Sequence, residues 1–488
     1  MPDPDTLSME HFFDWIERER RVDRPWLILG KGPTFALRTR FDLSGFELLS
    51  LNHAVREQPV LLAHMIDLDV VDACGQTLLA QARHVVLPWY PHVGNAPGPR
   101  SLAELVPNHP LLRRLAGEGR LLWYDLSTTP RRHGPGPVVQ ATYFSAEAAV
   151  SLLAQAGVRR VRSLGVDGGV VYSDEFADLH GRTLLANGQP AFDLQFQGIA
   201  RTILRTGVDF APLDLPAPVA VYLADGGGGP LPARVLEFSV RKRTSMTVDV
   251  RAPGAAIDAA ETSEPAGTRH RAIVLHAESL LLDDLRTLWA RPRDRDGVEV
   301  PQGSTAPALA VVTAGETEAF AAMGSRALEL VASPGAGGAA VAERRRTLPA
   351  GWSHADRFVR GATAFLHFAA AERQPWVSTA HPLAHLWVAE LLDAVRDGFV
   401  PLELIRSEVR QGRVRPSLLD QAERGVEEGL LLPPSVRRRD SRFAPAGRPA
   451  PAAAGLLTDP LLLLRALGRQ ARRELRAYRA RRAAGGGG

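Results

Sequence analysis

The sequence contains a single cysteine, only two lysines and no apolar run long enough to cross a membrane. With Cys74 alone, the chain cannot form an internal disulfide framework or a cluster of thiolate metal ligands. Its apolar runs stay below the ~18–20 residues that span a bilayer. The first 21 residues are acidic and then amphipathic, without the apolar core of a signal peptide. We therefore expect a cytoplasmic protein, with the inner face of the membrane as an alternative location.

The formal net charge of +4 is distributed unevenly along the 488 residues. Residues 437–482 contain 13 arginines and three acidic residues, a net charge of +10, so the rest of the chain carries about −6. A basic tail on an acidic body argues against a nucleic-acid groove through the main domains. Lys31 and Lys242 stand beside 56 arginines, a skew typical of codon bias, and we infer no function from arginine abundance.

Chain length and apolar patterning predict two α/β domains with mainly parallel sheets, followed by a C-terminal appendage. The first domain covers 1–214, and a proline-rich linker leads into the second at 215–432. Residues 433–455 are rich in Pro, Ala and Arg, and we expect them to be disordered. A basic amphipathic helix should then begin at Thr458, so that 433–488 forms a separate linker and helix.

Short apolar runs bounded by turn residues predict the strands of both domains. In the first domain we expect strands at 26–29, 46–51, 61–66, 84–88, 120–124 and 161–164. The clearest helix should have Ser145 as its N-cap and end at Gly157. In the second domain we expect strands at 218–223 and 271–275 and helices at 231–243, 315–331, 383–396 and 416–429.

Glycine and polar residues follow the ends of the predicted strands of the first domain. Gly30-Lys31-Gly32-Pro33-Thr34 follows the first strand, where the glycines would let the backbone approach a phosphate and Lys31 would add a positive charge. Loops after parallel strands meet at one edge of the sheet. The other residues expected at that edge are Asn52, His53, Asp67, Asp69, His92, Asp125, Ser127, Thr128, Ser145 and Asp167.

Each of these features also fits a structural role: a tight turn, a helix cap or a surface histidine. Their coincidence at one sheet edge favours a nucleotide-sugar pocket, with His92 and His53 as candidate catalytic bases. The glycine turn is not a Walker loop, which has four residues between its glycines and Lys-Ser/Thr after the second. It also lacks the third glycine of the dinucleotide fingerprint.

Three stretches of the first domain carry a family resemblance: "WLILGKGPTF", "LNHAV" and "FSAEAAVSLLAQAGVRRVRSLGVDGGVVYSDEF". In this order they resemble the sialyltransferase-like and motility-accessory bacterial glycosyltransferases. The resemblance implies a Rossmann-like domain that binds a nucleotide-activated sugar, CMP- or UDP-linked. It places Gly30, Gly32, Asn52, Ser145 and Asp167 at binding positions, although Thr34 stands where serine is usual.

The second domain resembles family-8-type glycosyltransferases with the GT-A fold. The resemblance rests on "PVAVYLADGGGGPLPARVLEFSVRKRTSMTVDV", "RAIVLHAESLLLDDLRTLW", "FLHFAAAERQPW" and "GRVRPSLL". In that family the strand at 271–275 ends in Asp-x-Asp, which holds a divalent cation on the donor diphosphate with a later histidine. Here the position reads His276-Ala277-Glu278, with His367 in the place of the histidine. Asp225, after the preceding strand, is included among the expected donor-binding residues.

The altered motif leaves two interpretations of the second domain. His276, Glu278 and His367 could bind Mn²⁺ or Zn²⁺ in a retuned site, and Mg²⁺ is the less favoured cation because imidazole replaces a hard carboxylate. Alternatively, the domain has lost catalysis and binds, shields or positions an acceptor. Trp376 is the aromatic residue here that we would expect to stack on a sugar ring, whereas Phe365, Phe368 and Trp387 fit a core.

The sequence as a whole predicts a glycosyltransferase that moves a sugar from a nucleotide-sugar donor to a hydroxyl on a glycan or lipid-linked acceptor. The C-terminal helix, 458–482, could lie on an anionic membrane or pack on its own domain. A non-catalytic sugar- or nucleotide-binding scaffold is the alternative function. A further alternative confines the activity to a metal-dependent second domain.

Overall fold

A computed structural model describes residues 8–129, 131–134, 136–180, 188–257, 269–302, 307–333, 345–445 and 460–485. The chain divides into two compact units. Unit 1 comprises residues up to Pro218 together with 244–247, and unit 2 comprises the rest. Both units contain helices and a β-sheet, so the predicted α/β class is confirmed. None of the described helices has both the length and the hydropathy needed to cross a membrane.

Unit 1 is built around a nine-stranded parallel sheet. The strands of unit 1, including the short hairpin β6–β7 outside that sheet, are β1 (Glu10–His11), β2 (Trp26–Leu29), β3 (Glu47–Leu51), β4 (Val60–His64), β5 (Ala82–Pro88), β6 (His92–Val93), β7 (Ala96–Pro97), β8 (Leu121–Leu126), β9 (Val138–Val139), β10 (Arg160–Leu164) and β11 (Asp209–Pro212). Its helices are α1 (Phe12–Arg18), α2 (Leu68–Gln81), α3 (Leu102–Leu105), α4 (Pro110–Gly117), α5 (Ser145–Gln155) and α6 (Leu194–Thr206).

The large sheet has apolar side chains on both faces because helices cover both. On β2, Trp26 and Ile28 pack in the cluster formed with α1 and α5, whereas Leu27 and Leu29 pack in the cluster formed with α2 and α4. This alternation follows the two-residue period of a strand. A run of four consecutive apolar residues is therefore the sequence pattern expected of a central parallel strand, which is buried on both faces.

The sequence predicted the main strands of this sheet to within about two residues at each end. It missed the short edge strands β1, β9 and β11 and the helix α2. The predicted helix at Ser145 is present, but its N-cap is Phe144, and Ser145 is the first helical residue. The Glu147 carboxylate, in the first turn of the helix, accepts hydrogen bonds from the N–H groups of residues 142–144, which precede the helix.

Unit 2 contains a six-stranded sheet and a separate three-stranded sheet. Its strands are β12 (Val219–Ala224), β13 (Val248–Arg251), β14 (His270–His276), β15 (Ser279–Leu281), β16 (Gly297–Pro301), β17 (Leu309–Ala314), β18 (Arg345–Leu348), β19 (His354–Ala355) and β20 (Phe365–His367). Its helices are α7 (Pro230–Arg243), α8 (Arg286–Trp289), α9 (Thr317–Ala332), α10 (Ala384–Arg396), α11 (Leu402–Arg410), α12 (Ser417–Arg424), α13 (Pro434–Asp440) and α14 (Pro460–Gly485).

The larger sheet of unit 2 is mixed, whereas the sequence led us to expect mainly parallel strands. The strand order is β13-β12-β14-β17-β16-β18, and β17 runs antiparallel to both of its neighbours. An apolar run of six residues, as in β17, fits a buried strand of either direction. The direction of a strand is set by the connections to its neighbours, and the apolar pattern carries no information about those connections.

The C-terminal region differs from its predicted organisation. Residues 434–440, expected to be disordered, form α13. Helix α14 belongs to unit 2: Arg469 pairs with Glu428, and Arg473 pairs with Glu427 and Asp393. Packing on its own domain was one of the two predicted arrangements. The predicted start at Thr458 lies outside the described residues, and the described helix begins at Pro460.

Candidate functional site

The direction of the chain across the large sheet of unit 1 reverses at β2. The chain passes from β2 through β3, β4 and β5 to β8 on one side, and β10 and β11 lie on the other side of β2. Adjacent loops after the carboxyl ends of β2 and β10 therefore lead away in opposite directions. Open parallel sheets bind their ligands in the crevice that such a switch point creates.

The two loops at the switch point touch through glycine. A Cβ added to Gly30 would lie 2.2 Å from the carbonyl oxygen of Gly165, and one added to Gly32 would lie 2.5 Å from Oδ2 of Asp167. No side-chain carbon fits at those distances. The glycines are required for this close approach of one loop to the other.

The backbone amides of these glycines are already bonded within the protein. The N–H of Gly30 donates to the carbonyl of Leu164 at 2.8 Å, and the N–H of Gly32 donates to the carbonyl of Gly165 at 2.9 Å. The sequence-based expectation that these two glycines present their amides to a phosphate is therefore wrong. In this loop, Lys31 is the residue whose side chain offers a positive charge.

Thr34 and Asp167 fasten the two loops together. The N–H and Oγ1 of Thr34 donate to the Asp167 carboxylate at 2.7 and 2.5 Å, and Oγ1 also accepts from the N–H of Gly165 at 2.7 Å. Both carboxylate oxygens of Asp167 therefore have partners in the protein. Asp167, which the sequence led us to expect at a nucleotide- or sugar-binding position, therefore has a structural role beside the cavity.

Replacing Thr34 with valine should destabilise unit 1. The change keeps the shape but leaves an oxygen of Asp167 and the N–H of Gly165 without their hydroxyl partner, at a cost of about 1–3 kcal/mol. Thermal melting measures the loss. Thr39→Val is the matched control, because the hydroxyl of Thr39 is exposed and donates only weakly, at 3.5 Å, to the carbonyl of Ala36. Equal melting temperatures for the two variants would contradict the assignment.

A cavity of about 670 Å³ opens at this switch point. Every site residue predicted in unit 1 lines it: Gly30, Lys31, Gly32, Asn52, His53, Asp67, His92, Ser145 and Asp167. Asp69 and Thr128, also expected at this edge, line it as well, whereas Asp125 and Ser127 are not among the lining residues. Asp125 accepts from the N–H of His133 at 3.1 Å, and Oγ of Ser127 donates to the carbonyl of Ala141 at 3.1 Å. Residues separated by more than 130 positions in sequence thus share one cavity, because the carboxyl ends of parallel strands lie at one edge of the sheet.

Lys31 is largely buried, and its Nζ lies 4.4 Å from the centre of the Tyr172 ring. Burial lowers its pKa from 10.5 to about 8. The side chain is still mostly protonated at pH 7, so the cavity wall carries a positive charge in a partly desolvated place. A desolvated charge interacts strongly with an anion, because little of its field is screened by water.

His53 lies near Lys31 and is uncharged at neutral pH. Burial, together with the positive charges of Lys31 and Arg56, lowers its pKa to about 4. Its Nδ1 is buried and has no hydrogen-bond partner among the described residues. A base with so low a pKa accepts a proton poorly at pH 7.

His92 is the first residue of β6 and also lines the cavity. Its Nε2 forms a hydrogen bond of 3.1 Å with Oγ1 of Thr128, and burial lowers its pKa below the ordinary value. Burial therefore favours the neutral imidazole, and a hydroxyl orients it. Both properties suit a general base.

Asn52 has an unusual backbone conformation and an unsatisfied side chain. Its φ of 52° lies in the left-handed region, which costs energy for a residue other than glycine. Nδ2 donates to Oγ of Ser145 at 3.2 Å, whereas the buried Oδ1 has no partner among the described residues. The protein thus holds an acceptor at the cavity wall where a ligand hydroxyl or amine could donate to it.

Asp67 and Asp69 hold the β6–β7 hairpin beside the cavity. Oδ1 of Asp67 accepts from the N–H of Asn95 at 2.9 Å, and Oδ2 of Asp69 accepts from the N–H of Gly94 at 2.6 Å. Burial raises the pKa of Asp67. These two carboxylates, expected at this sheet edge, therefore also fix the hairpin that carries His92.

Sequence reasoning missed an aromatic wall. Phe192 stacks on Tyr172 with ring centres 5.8 Å apart and meets Phe144 edge-on at 5.3 Å. All three rings line the cavity, and so do Gln189 and Gln195. The available signal was the position of Phe144 before Ser145 and of Tyr172 after the glycine turn at 168–169.

The residues predicted to bind a metal in unit 2 lie together but are engaged with their own chain. The rings of His276 and His367 are 4.6 Å apart, and Nδ1 of His276 accepts from the N–H of Glu278 at 3.2 Å. The Glu278 carboxylate accepts from Nε2 of Gln374. Across the described ranges, no group of three or more His, Cys, Asp or Glu side chains is arranged to hold a metal ion.

The glycine turn after β12 packs directly on this cluster. A Cβ at Gly226 would lie 2.5 Å from Cε1 of His276 and 2.6 Å from Cγ of Glu278. Asp225 accepts from the N–H of Gly227 at 2.8 Å, within the same turn. Trp376 is fully buried against Trp387, with ring centres 5.2 Å apart, so the expectation that it stacks on a sugar is wrong for this conformation.

No protein-family model matches the chain, and no curated protein is significantly similar to it. The solved structures that align with parts of it include WbbM and LgtC. WbbM, described as a bifunctional glycosyltransferase in its apo form, is 10% identical over 38% of this chain and 51% of its own, with a TM-score of 0.25. An active-site mutant of LgtC is 9% identical over 36% of this chain and 95% of its own, with a TM-score of 0.23. This chain thus spans about half the length of WbbM, and likenesses this distant carry no argument about activity.

Proposed function

We propose that unit 1 is a glycosyltransferase domain that binds a nucleotide-activated sugar in its switch-point cavity and transfers the sugar to an acceptor hydroxyl. The observation that carries the proposal is the gathering, in one cavity at this edge of a parallel sheet, of a buried cation, an unsatisfied amide oxygen and a neutral, oriented histidine. The motif resemblances in the sequence point the same way. Alignment with solved structures adds nothing to it.

Charge decides which end of the donor lies near Lys31. A phosphate group next to a partly desolvated ammonium is favourable, and it would also offset the burial that lowers the Lys31 pKa. We therefore assign Lys31 to the phosphate that leaves with the nucleotide. The aromatic wall of Phe144, Tyr172 and Phe192 offers flat apolar surface for a nucleobase.

In the reaction, His92 removes the proton of the acceptor hydroxyl. The acceptor oxygen forms a new bond to the anomeric carbon of the sugar, and the bond from that carbon to the phosphate oxygen breaks. The phosphate oxygen keeps the electron pair, and its negative charge develops beside Lys31. We choose His92 over His53 as the base because a pKa of about 4 makes His53 a weak proton acceptor at pH 7.

Asn52 and Ser145 would position the donor rather than react. The Oδ1 of Asn52 would accept from a ribose or sugar hydroxyl, and its Nδ2 is already held by the hydroxyl of Ser145. Asp67 would use its remaining oxygen in the same way. Asp167, with both oxygens bonded to Thr34, keeps the loops in place and gains no direct donor contact in this proposal.

A nucleotide panel tests the proposal. Ligands that bind the folded state raise the melting temperature, so the full chain is heated with CMP, UDP and several CMP- and UDP-sugars, and donor hydrolysis is then followed with the ligands that bind. We expect one nucleotide class to stabilise the protein and its sugar to be released. Asn52→Ala should weaken that binding, and His92→Gln should abolish turnover while binding remains. Binding without turnover by the unaltered chain would select a non-catalytic scaffold instead.

For unit 2 we propose a non-catalytic role in binding or positioning an acceptor. Support comes from the engagement of Glu278 with Gln374 and from the close packing of Gly226 on His276. Sugar transfer should then survive both a chelator and the substitution Glu278→Gln. Loss of transfer on chelation, restored by Mn²⁺, would instead place the activity in a metal-dependent second domain.

Membrane association of α14 remains a separate proposal. Arg469 and Arg473 are occupied by acidic partners in unit 2, whereas Arg465 and Arg472 lie exposed on the same helix. Among the arginines of α14 whose side chains the structure describes, Arg465 and Arg472 are therefore the ones that could attract anionic lipid, at ~1 kcal/mol each. Sedimentation with vesicles of neutral and anionic lipid, compared between the full chain and Arg465→Glu/Arg472→Glu, tests it.

A further inference from the structure

Large apolar side chains are exposed at a single region in the described part of unit 1. These side chains are Val93, Tyr143, Val170 and Val171, with 50%, 41%, 44% and 53% of their surface accessible. Scattered exposed apolar residues need no explanation, but a cluster of them does. The four residues come from three separate loops, so their clustering is a property of the fold and not of local sequence.

Two of the four residues line the switch-point cavity, and the other two are sequence neighbours of lining residues. Tyr143 and Val171 line the cavity directly, and Val170 adjoins Val171. Val93 lies in the β6–β7 hairpin between His92 and Asn95, which both line the cavity. We call this set the apolar rim.

Hydrogen bonds behind the rim hold each of its loops. The hairpin of Val93 is held by Asp67 and Asp69, and the N–H of Tyr143 donates to Glu147 at 3.2 Å. The loop of Val170 and Val171 is fixed at Gly169, whose N–H donates to Asp193 at 3.1 Å and whose carbonyl accepts from Phe192 at 2.9 Å. The rim therefore presents a prearranged surface and loses little entropy on binding.

We propose that the apolar rim binds a hydrocarbon group carried by the acceptor next to the hydroxyl that receives the sugar. This inference rests on the proposed function, in which the acceptor must reach His92 from the cavity mouth. Valine side chains have no hydrogen-bonding groups for sugar hydroxyls, and three of the four rim residues are valines. An alkyl chain matches such a surface, whereas a free sugar would bring polar groups to it without partners.

A matched pair of alkyl glycosides tests the rim. Methyl and octyl β-D-glucoside, kept below the micelle concentration, are titrated into the full chain by calorimetry. Each buried methylene contributes about 0.8 kcal/mol, or roughly fourfold in affinity, so burial of only part of the chain predicts at least about tenfold tighter binding of the octyl compound. Val171→Ser and Val93→Ser should each reduce this preference by about threefold or more.

The control is Val359→Ser, which changes an exposed valine of unit 2 with 37% of its surface accessible. It should leave the octyl preference unchanged, and melting temperatures should show that all three variants remain folded. Equal binding of both glucosides would overturn the rim, and so would an octyl preference that Val171→Ser and Val93→Ser leave intact.

The same samples separate the rim from the proposed function. If nucleotides and nucleotide sugars stabilise the chain but the octyl preference is absent, the rim inference fails and the donor site stands. If the preference is present and is reduced by the rim variants while no nucleotide binds, the donor site fails and the rim remains a hydrocarbon-binding surface of another function, which overturns its assignment to an acceptor.

Discussion

Gly30→Ala is expected to destabilise unit 1 by about 3 kcal/mol or more, and to abolish nucleotide binding with it. The added Cβ would lie 2.2 Å from the carbonyl oxygen of Gly165, a backbone atom that moves only if the loop moves. Overpacking of a dense interior costs about 1–3 kcal/mol, and more when the backbone has to shift. Gly165 itself cannot relieve the clash easily, because its φ of 75° belongs to the left-handed region.

Thermal melting of the full chain, with and without a nucleotide that binds, measures both effects. Gly45→Ala is the matched control, since no atom lies within 4 Å of a Cβ added there. That variant should melt within a few degrees of the unaltered protein and bind nucleotide normally. If Gly30→Ala melted at the same temperature as Gly45→Ala, the close approach of the two loops would be wrong.

Lys31→Met should have opposite effects on binding and on stability. Nucleotide affinity should fall by about a hundredfold or more, because a buried, charge-assisted contact with phosphate is lost. The free energy of unfolding should rise at pH 7 by about 1–2 kcal/mol. Burial disfavours the charged ammonium by an amount that corresponds to the lowering of its pKa from 10.5 to about 8. Only part of that gain is offset by the lost contacts of Lys31, among them the one with Tyr172.

The pH dependence of stability checks the second effect. Lys31 binds its proton less tightly in the folded chain than in the unfolded one. Below about pH 8 its charge therefore lowers the free energy of unfolding by the full amount. The penalty disappears as the pH rises from about 8 to 10.5. The unaltered protein should therefore gain stability relative to Lys31→Met across that window, which melting curves at a series of pH values would show.

Lys242→Met is the control for this prediction. Its ammonium pairs with Asp393 at 2.8 Å and with Glu390 at 3.2 Å, so its removal should destabilise the protein by about 1 kcal/mol or more and leave nucleotide binding unchanged. A loss of stability in Lys31→Met similar to that in Lys242→Met would show that Lys31 is held by a favourable ion pair. Unchanged nucleotide affinity would remove its assignment to the phosphate.

Much of the fold could be predicted from short patterns. The run Trp26–Leu29, closed by a glycine, predicted β2, because a strand buried on both faces needs apolar residues at successive positions. The grouping of Asn52, His92 and Ser145 with Lys31 could be predicted as well, since the ends of parallel strands meet at one edge. These conclusions need only the order of elements along the chain.

Other features depend on contacts between distant segments. The turn at Gly30 looked like a phosphate loop, but its glycines make room for Gly165 and Asp167, more than 130 residues away in sequence. For the arginine-rich helix the sequence left open whether it lies on a membrane or packs on its own domain, and Glu427, Glu428 and Asp393 of unit 2 pair with it. A residue pattern does not report which partner occupies a backbone amide or a charge.

The sequence by itself determined the α/β class, the main strands of unit 1 and the edge at which its polar residues gather, because these follow from local periodicity and chain order. The tertiary structure alone decided that β2 and β10 are neighbours and that the larger sheet of unit 2 contains both parallel and antiparallel strand pairs. It also decided that an aromatic wall and an apolar rim border the cavity. The physical reason is that strand pairing, contacts between loops and the exposure of side chains are set by packing between segments remote in sequence. The residue pattern of one segment does not show which distant segment packs against it.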